Sequence, residues 1–474
     1  MYIKNFDRFF SPHQWLVISK AVQVAGDRQW RAFAVGGIVR DAVLWLQQEK
    51  AVDVILQESV SASPKAVLKT PNYPKDIDLV FDGGEGAGLE VAIALHQYFP
   101  ESKLQIHEKF QTAELLWEGS STGFAMDLAT AREEHYAYAG ANPEVIATDL
   151  WTDLYRRDFT INALALSLSS VDQDSYEIID LFGGLSDLQA QQVRAIREGS
   201  FVEDPRRLFR AVRFAVRLGL KLAPETRTEI LHTTASGIHD AIGGMRLRSE
   251  LIYTLAEAKS GQMFALLQEL GALRCIHPDL CLPSDANSFA HQWRRSQYWL
   301  KQLYRLYPHL LPKSYVPKDL SSSQDLNFGL LGLELLLSYL PPHITKHLEL
   351  NLTPEQQNRQ IKVADLREHL PPQNAQDFSI SAITNYLQRF DPITIILVAA
   401  QSSPYHRRIL WQYLTHWQAI KSPLTGSDLL ELGYRSGKEV GEILHKLRSA
   451  TLDGIVTSRD EAIAYLNQSY SIPK

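Results

Sequence analysis

Cysteine is scarce in this chain, with two in 474 residues. Cys275 and Cys281 cannot build a disulfide framework, and their spacing fits no common zinc pattern. They read as thiols of a reducing compartment. Long hydrophobic runs are also missing. The most apolar stretches, residues 328–340 and 393–400, are too short to span a bilayer, and the first contains Glu334. The opening MYIKNFDRFF lacks the charged-then-apolar layout of a signal peptide. These absences predict a cytoplasmic protein with no membrane partner. There is no excess of positive charge either, since the formal net charge is -6. A polyanion partner would therefore have to meet positive charge gathered locally. Repeats and long low-complexity segments do not occur. What remains, 45% hydrophobic and 22% charged residues, is ordinary for a globular chain with sizeable cores.

The residues fall into two zones. Up to about residue 190, short apolar runs alternate with Gly, Pro and Asp. AFAVGG, DIDLVF, AELLW, FAMDLAT and YEIIDLF read as strands, and residues 38–48 and 88–98 as helices between them. Beyond that point the strand signals nearly vanish, and Leu-, Ala-, Glu- and Arg-rich segments broken by Pro and Ser predict a helical half. The polar stretch 49–75, with Pro64, Pro71 and Pro74, reads as an insertion or loop.

Four motifs carry chemistry. In KDIDLVF, Asp76 and Asp78 stand two apart on a strand and so share a face, with Ile77 and Leu79 on the other. Paired carboxylates repel unless a cation neutralises them. They suit Mg²⁺, which takes one or two carboxylates and completes its shell with phosphates and water. Two ions about 4 Å apart can stabilise both oxygens of an in-line displacement. Upstream, Gly36 and Gly37 follow a strand and open a helix, so the backbone can approach a phosphate closely. Arg40 falls in the first turn of that helix, placed for a charge-assisted contact. Asp127, on the strand FAMDLAT, is a candidate third catalytic acid, as ligand or proton acceptor.

In RRDFTINA, Arg157 is a candidate for a phosphate or base contact and Asp158 for the ribose hydroxyls. In VEDPRRLFRAVRFA, Pro205 behind two acids opens a helix. Leu208, Ala211, Val212, Ala215 and Leu222 should share its apolar face, with Arg206, Arg210, Arg213 and Arg217 opposite as a phosphate-binding strip. Asp204 and Arg207 flank the apolar stripe. One accepts and the other donates in a planar fork, which is what reading the edge of a base requires.

With these elements in this order, residues 31 to about 260 resemble the class II CCA-adding enzymes, or tRNA nucleotidyltransferases, and the related bacterial poly(A) polymerases. GGIVRD with DID, RRDFTINA, DLFGGLSDL and EDPRRLFRAVRF carry the resemblance. It implies an α+β fold: a polymerase-β-like nucleotidyltransferase head with a mixed sheet, then an all-helical neck, body and tail. The expected divisions are 1–192 for the head, 193–272 for a nucleotide-selecting neck, and 273–474 for a tRNA-binding body and tail. Asp76 and Asp78 would hold Mg²⁺. Gly36, Gly37, Arg40, Arg157, Asp158, Asn162 and Arg210 would contribute to nucleotide binding. Glu203, Asp204 and Arg207 would form an amino-acid template selecting CTP and then ATP. Asp180, Gly183, Gly184 and Asp187 match a springy connector, and HEKFQTA at 107–113 a mobile segment. The long gap between Asp41 and Asp76 departs from the family's usual spacing.

The implied reaction is attack of a tRNA 3′-hydroxyl on the α-phosphorus of CTP or ATP, releasing pyrophosphate. Addition of CC only, of A only, or of poly(A) are alternatives within the same class, with poly(A) disfavoured by the lack of a strongly basic tail. A catalytically dead RNA-binding scaffold is the alternative outside it. The intact acids and arginines argue against that.

Overall fold

The structure is a computed structural model, and it describes residues 2–46, 73–119, 123–135, 144–168, 175–237, 244–281, 286–306, 324–348, 350–371 and 379–469. Most of the polar insertion expected at 49–75 lies outside the described residues. Two compact units emerge: Met1–Gly243 with Glu269–Cys275, and Gly244–Gln268 with Ile276–Lys474.

The first unit is built on an eight-stranded sheet. Its strands are β1 (Tyr2–Lys4), β2 (Arg31–Val35), β3 (Asp76–Asp82), β4 (Lys103–His107), β5 (Thr112–Trp117), β6 (Phe124–Thr130), β9 (Leu164–Ser167) and β10 (Ser175–Asp180). Strands β7 (Arg132–His135) and β8 (Glu144–Ala147) pair separately as a hairpin. The spatial order is β1-β10-β9-β2-β3-β6-β5-β4. β3 and β6 run parallel and the other neighbours antiparallel, so the sheet is mixed as expected.

All five strands anticipated from alternation are present. Alternation also decides the faces. Ile77, Leu79, Phe81, Ala113, Leu115, Met126 and Leu128 are buried on one side. That side is roofed by α1 (Pro12–Gly26) and, after the helical residues 37–46 (α2), by α3 (Ala87–Tyr98). α1 starts in a capping box, Ser11 and Gln14 bonding each other's backbone N–H, with Pro12 at its first position. α3 lies so close that a Cβ on Gly88 would sit 2.5 Å from the carbonyl carbon of Ala129. The opposite face carries the acids of β3, β6 and β5.

Helices α4 (Leu150–Tyr155), α5 (Gly184–Gln189), α6 (Ser200–Glu203), α7 (Arg206–Leu218) and α8 (Pro224–Ala235) complete the unit, with a two-residue pair β11 (Gln192–Val193) and β12 (Lys221–Leu222). α7 stops at Gly219, whose φ of 71° gives a left-handed cap. Leu208, Ala211, Val212 and Ala215 share its buried face as expected. Leu222 does not: the glycine ends the helix first, and Leu222 lies on β12.

In the second unit the described residues are helical. α9 (Gly244–Ala256), α10 (Ser260–Glu269), α11 (Ala286–Leu306), α12 (Gln324–Leu337), α13 (Pro342–His347), α14 (Pro354–Glu368), α15 (Ile380–Leu387), α16 (Pro392–Gln401) and α17 (Pro404–Thr415) precede α18 (Gly426–Glu431), α19 (Lys438–Leu452) and α20 (Arg459–Ser469). The two apolar stretches become the buried helices α12 and α16. Glu334, at 0% exposure in α12, is compensated by Arg359, whose Nη1 donates to both carboxylate oxygens at 2.9 and 3.0 Å. The last three helices pack around their own core of Leu429, Ile443, Leu447 and Leu466. No helix among the described residues is long and apolar enough to cross a membrane.

Candidate active site

On β3, Asp76 is exposed and Asp78 half-buried, while Ile77 and Leu79 point into the core. The strand register brings further acids into line. Asp78 is the direct partner of Asp127 across the β3–β6 pair, and Asp127 of Glu114 across β6–β5. Residues opposite one another share a face, so Asp78, Asp127 and Glu114 form a row of carboxylates, with Asp76 two residues along β3 on the same face.

Crowding shows in their chemistry. Burial pushes the Asp78 carboxyl up, Arg157 opposes this, and Asp76 adds to it. Asp127 is pushed up to about 7, by desolvation first and then by Asp78, Glu114 and Asp76. Such a row favours protons or a cation. Hard oxygen donors on adjacent strands are the kind that Mg²⁺ takes, and Asp76 and Asp78, with Asp127 beside them, would be the residues to hold it.

The glycine turn lies against this row. Gly36 adopts φ +73° and donates its N–H to the Leu164 carbonyl at 2.9 Å. A Cβ there would stand 2.9 Å from Arg157 Nη1 and 3.8 Å from Asp78 Oδ2. Glycine is therefore required by backbone conformation, and a side chain there would also displace the Arg157 guanidinium. A Cβ on Gly37 would meet Arg40 Nη2 at 3.4 Å. Arg40 itself is 3% exposed, donating from Nε to Asp41 at 2.7 Å and from Nη1 to Asn162 Oδ1 at 2.5 Å. It is a buried strut beneath the turn rather than an extended hand.

Asn162 passes the network on, its amide donating to Asp158 Oδ1 at 3.1 Å. Asp158 also accepts from the Phe159 N–H at 2.9 Å and from Arg210 Nε at 2.6 Å. Burial alone would raise this carboxyl, and Arg210, Asn162 and Arg207 outweigh it, so its pKa is lowered. The carboxylate is thus held charged, anchoring α7 to the RRDFTINA segment.

Arg157 is half-buried, with Nη1 3.5 Å from the Asn162 carbonyl and Nη2 3.1 Å from Asp153 Oδ2. Asp153 was not singled out in the sequence. Fully buried on α4, it accepts from Arg156 at 2.7 Å as well. Its carboxyl is lowered because the two arginines overcome the burial that would raise it. The signal was present: an acid three and four residues before paired arginines on one helical turn. Glu114 was also missed, though the alternation of AELLW places it on the acid face.

Glu203, Asp204 and Arg207, the set expected to select the base, lie at the α6–α7 junction and are internally bonded. Arg207, 5% exposed, donates to Ser200 Oγ at 2.7 Å, to Glu203 at 3.3 Å and to the Arg156 carbonyl at 2.8 Å. Arg197 pairs with Glu203. Asp204 accepts from Arg206 Nε at 2.7 Å. The strip of four arginines expected on the outer face of α7 is not continuous. Arg206 folds back onto Asp204 and Arg210 inward onto Asp158, because buried carboxylates compete for them; Arg213 is half-buried and Arg217 exposed.

The connector glycines are fixed by hydrogen bonds. Asp180 accepts from the N–H groups of Gly184 and Leu185 at 2.8 and 3.0 Å, capping α5. Asp187 accepts from Thr160 Oγ1 at 2.7 Å. A Cβ on Gly184 would meet the Thr160 carbonyl oxygen at 2.4 Å.

A mixed sheet presenting paired acids beneath a glycine turn, followed by helices, defines the class: a nucleotidyltransferase head on a helical protein. Comparison with known proteins agrees. Residues 65–194 match the family model of the poly A polymerase head domain. An A-adding tRNA nucleotidyltransferase of Geobacter sulfurreducens is 30% identical over 441 residues, covering 93% of this chain and 45% of that protein. A CC-adding tRNA nucleotidyltransferase of Deinococcus radiodurans is 39% identical over 199 residues, covering 42% of this chain and 50% of that one. The chain spans about half the length of these curated relatives. In fold it is similar to a Thermotoga maritima CCA-adding enzyme complexed with tRNA, with a TM-score of 0.69 and 24% identity, covering 99% of both chains. The apo form of a CCA-adding enzyme superposes with a TM-score of 0.73 at 24% identity, covering 99% of this chain and 100% of that one. The chain belongs to the family of class II CCA-adding enzymes and bacterial poly(A) polymerases.

Proposed function

We propose that the protein extends the 3′ end of tRNA without a nucleic-acid template, adding CCA from CTP and ATP and releasing pyrophosphate in the cytoplasm. The observation that supports it best is the row of Asp78, Asp127 and Glu114 lying against the Gly36 turn, with Arg157 between turn and acids. Asp76 and Asp78 would hold Mg²⁺. When bound, the ion supplies charge neutralisation at the phosphates and activation of the attacking hydroxyl. Arg157, already next to Asp78, positions the phosphates. Asp158, braced by Arg210 and Asn162, presents the ribose-binding edge. Glu203, Asp204 and Arg207 select the base. Positioning and electrostatics then supply most of the acceleration. In this reading residues 1–192 work as head, 193–272 as neck, and 273–474 as the body and tail that take the acceptor arm by shape and phosphate contact.

A second reading is A-only addition. It draws on the A-adding relative that matches 93% of the chain, whereas the CC-adding one matches 42%. Incubation with labelled CTP or ATP and tRNAs ending before CCA, at CC, or complete separates the readings. Full CCA addition predicts that both nucleotides enter the first substrate. Incorporation of ATP alone, and only into the CC-ended tRNA, replaces it by the second reading. Long A tails on complete tRNA would indicate a poly(A) polymerase.

A further inference from the structure

Beside the site lies an aromatic surface that the mechanism does not use. α4 buries Leu150 and Leu154 in the core beside the sheet, together with Asp153. One turn apart on its other side, Trp151 and Tyr155 are 51% and 40% exposed. Their rings stack on each other, centroids 5.2 Å apart and planes 13° from parallel. Phe182 extends the surface, 6.3 Å from Trp151 and 5.8 Å from Tyr155. Single exposed aromatics are common, but a contiguous stacked group calls for an occupant.

Its surroundings indicate which one. The Arg197 guanidinium lies 5.7 Å from the centroid of the Tyr155 ring, and the same side chain pairs with Glu203 of the selecting set. Between Tyr155 and Arg157 runs Arg156, whose carbonyl is held by Arg207. The aromatic surface is thus continuous with residues that would read the incoming base and touch its phosphates. Stacked aromatic faces with an arginine guanidinium over one of them, at the edge of the proposed nucleotide site, are suited to holding single-stranded nucleic acid by base stacking. We propose that Trp151 and Tyr155 form a platform on which an unpaired base at the 3′ end of the RNA primer stacks. This rests on the RNA-extending reading given above and adds to it a primer-positioning site.

The test uses the full chain and a tRNA ending before CCA, with 2-aminopurine as its unpaired terminal base. The wild type should quench the fluorophore by stacking. The double variant Trp151→Ala/Tyr155→Ala should lose the quench and raise the KM for tRNA about tenfold. The KM for CTP and the kcat at saturating tRNA should stay unchanged. Trp151→Phe/Tyr155→Phe keeps the ring faces and should restore both quench and KM. Thermal melting of each variant checks that the fold persists. An unchanged quench and tRNA KM in the alanine variant overturn the platform, as does a failure of the phenylalanine pair to rescue. A wild type that quenches 2-aminopurine yet incorporates no nucleotide would strike the transfer reading and leave the platform standing.

Discussion

Asp78 and Asp127 stand directly opposite one another on the parallel strands β3 and β6, with Arg157 and the Gly36 turn on the Asp78 side and Glu114 on the other. That register makes Asp78 the centre of the charge pattern, with acids on one flank and a cation on the other. Replacing Asp76 or Asp78 by Ala would remove a ligand from the proposed cation site, while neither residue lies in the helices of the second unit. Nucleotide incorporation should fall by about a thousandfold or more, the range expected when charge stabilisation at a transferring phosphate is lost. Binding of tRNA, followed by filter retention, should persist. Normal turnover in either variant would remove the metal assignment.

The raised carboxyl of Asp127 gives a pH signature. Its folded pKa, about 7, lies above the ordinary 3.8, so in EDTA the folded protein holds this proton more tightly than the unfolded chain. The stability it contributes is complete below the unfolded value and is lost as pH rises through the folded one. Asp127→Asn cannot ionise. Its melting temperature should therefore pull ahead of the wild type as pH increases from about 4 to 7, then hold a constant lead. Mg²⁺ should narrow or reverse that lead, because a cation favours the ionised row. Asp153 and Asp158, whose pKa values are lowered, act in the opposite sense: their stabilisation is present above the ordinary carboxylate range and lost as pH falls through their folded values. A melting difference between Asp127→Asn and wild type that does not vary with pH would refute the shift.

Much of the head was legible because its strands bury alternate residues. DIDLVF, AELLW and FAMDLAT each display the two-residue period, and placing Asp76 and Asp78 on one face followed directly. β4 and β9 escaped notice for different reasons. KLQIH is a short edge strand whose alternating leucine and isoleucine stay largely uncovered, and LALS is buried on both faces and merges with the motif before it. What the sequence could not display was which arginine finds which acid. Arg40 meets Asn162 across 122 positions and Arg210 meets Asp158 across 52. A helical wheel assigns Arg210 to an outer face, but an anionic carboxylate buried nearby draws it in. Long-range electrostatic pairing is settled by the tertiary fold, and periodicity carries no record of it.

The Asp158–Arg210 pair joins α7 to the head at a distance of 2.6 Å, with Asp158 7% exposed. Removing Arg210 leaves a buried carboxylate with only the Phe159 N–H and the Asn162 amide, while Asp158→Asn removes the charge that Arg210 answers. Each single change should destabilise the protein, and the double change by less than their sum. A double-mutant cycle in urea should give a coupling of about 1–3 kcal/mol. Additive effects would show that the pair is an incidental contact. Because Asp158 is the proposed ribose-binding edge, Arg210→Ala should also raise the KM for the nucleotide while leaving that for tRNA in place.

The selecting role proposed for Asp204 and Arg207 can be separated from their structural role. Both are 5% exposed and bonded to protein groups, Asp204 to Arg206 and Arg207 to Ser200, Glu203 and the Arg156 carbonyl. A base presenting its edge must compete with these partners, so each side chain is held in one orientation before the nucleotide arrives. Arg207→Ala loses the planar fork and opens a gap; Arg207→Lys keeps the charge without the fork. Both should lower discrimination between CTP and ATP by about tenfold or more, since a site built on paired polar groups rejects the wrong base by leaving them unpaired. The rate with either nucleotide alone should change less. Arg207→Lys should melt closer to the wild type than Arg207→Ala does, which distinguishes lost selectivity from lost folding. Asp204→Ala should behave as Arg207→Ala does. If kcat/KM ratios for CTP over ATP stay at the wild-type value in all three variants, neither residue reads the base, and selection must reside elsewhere on the neck.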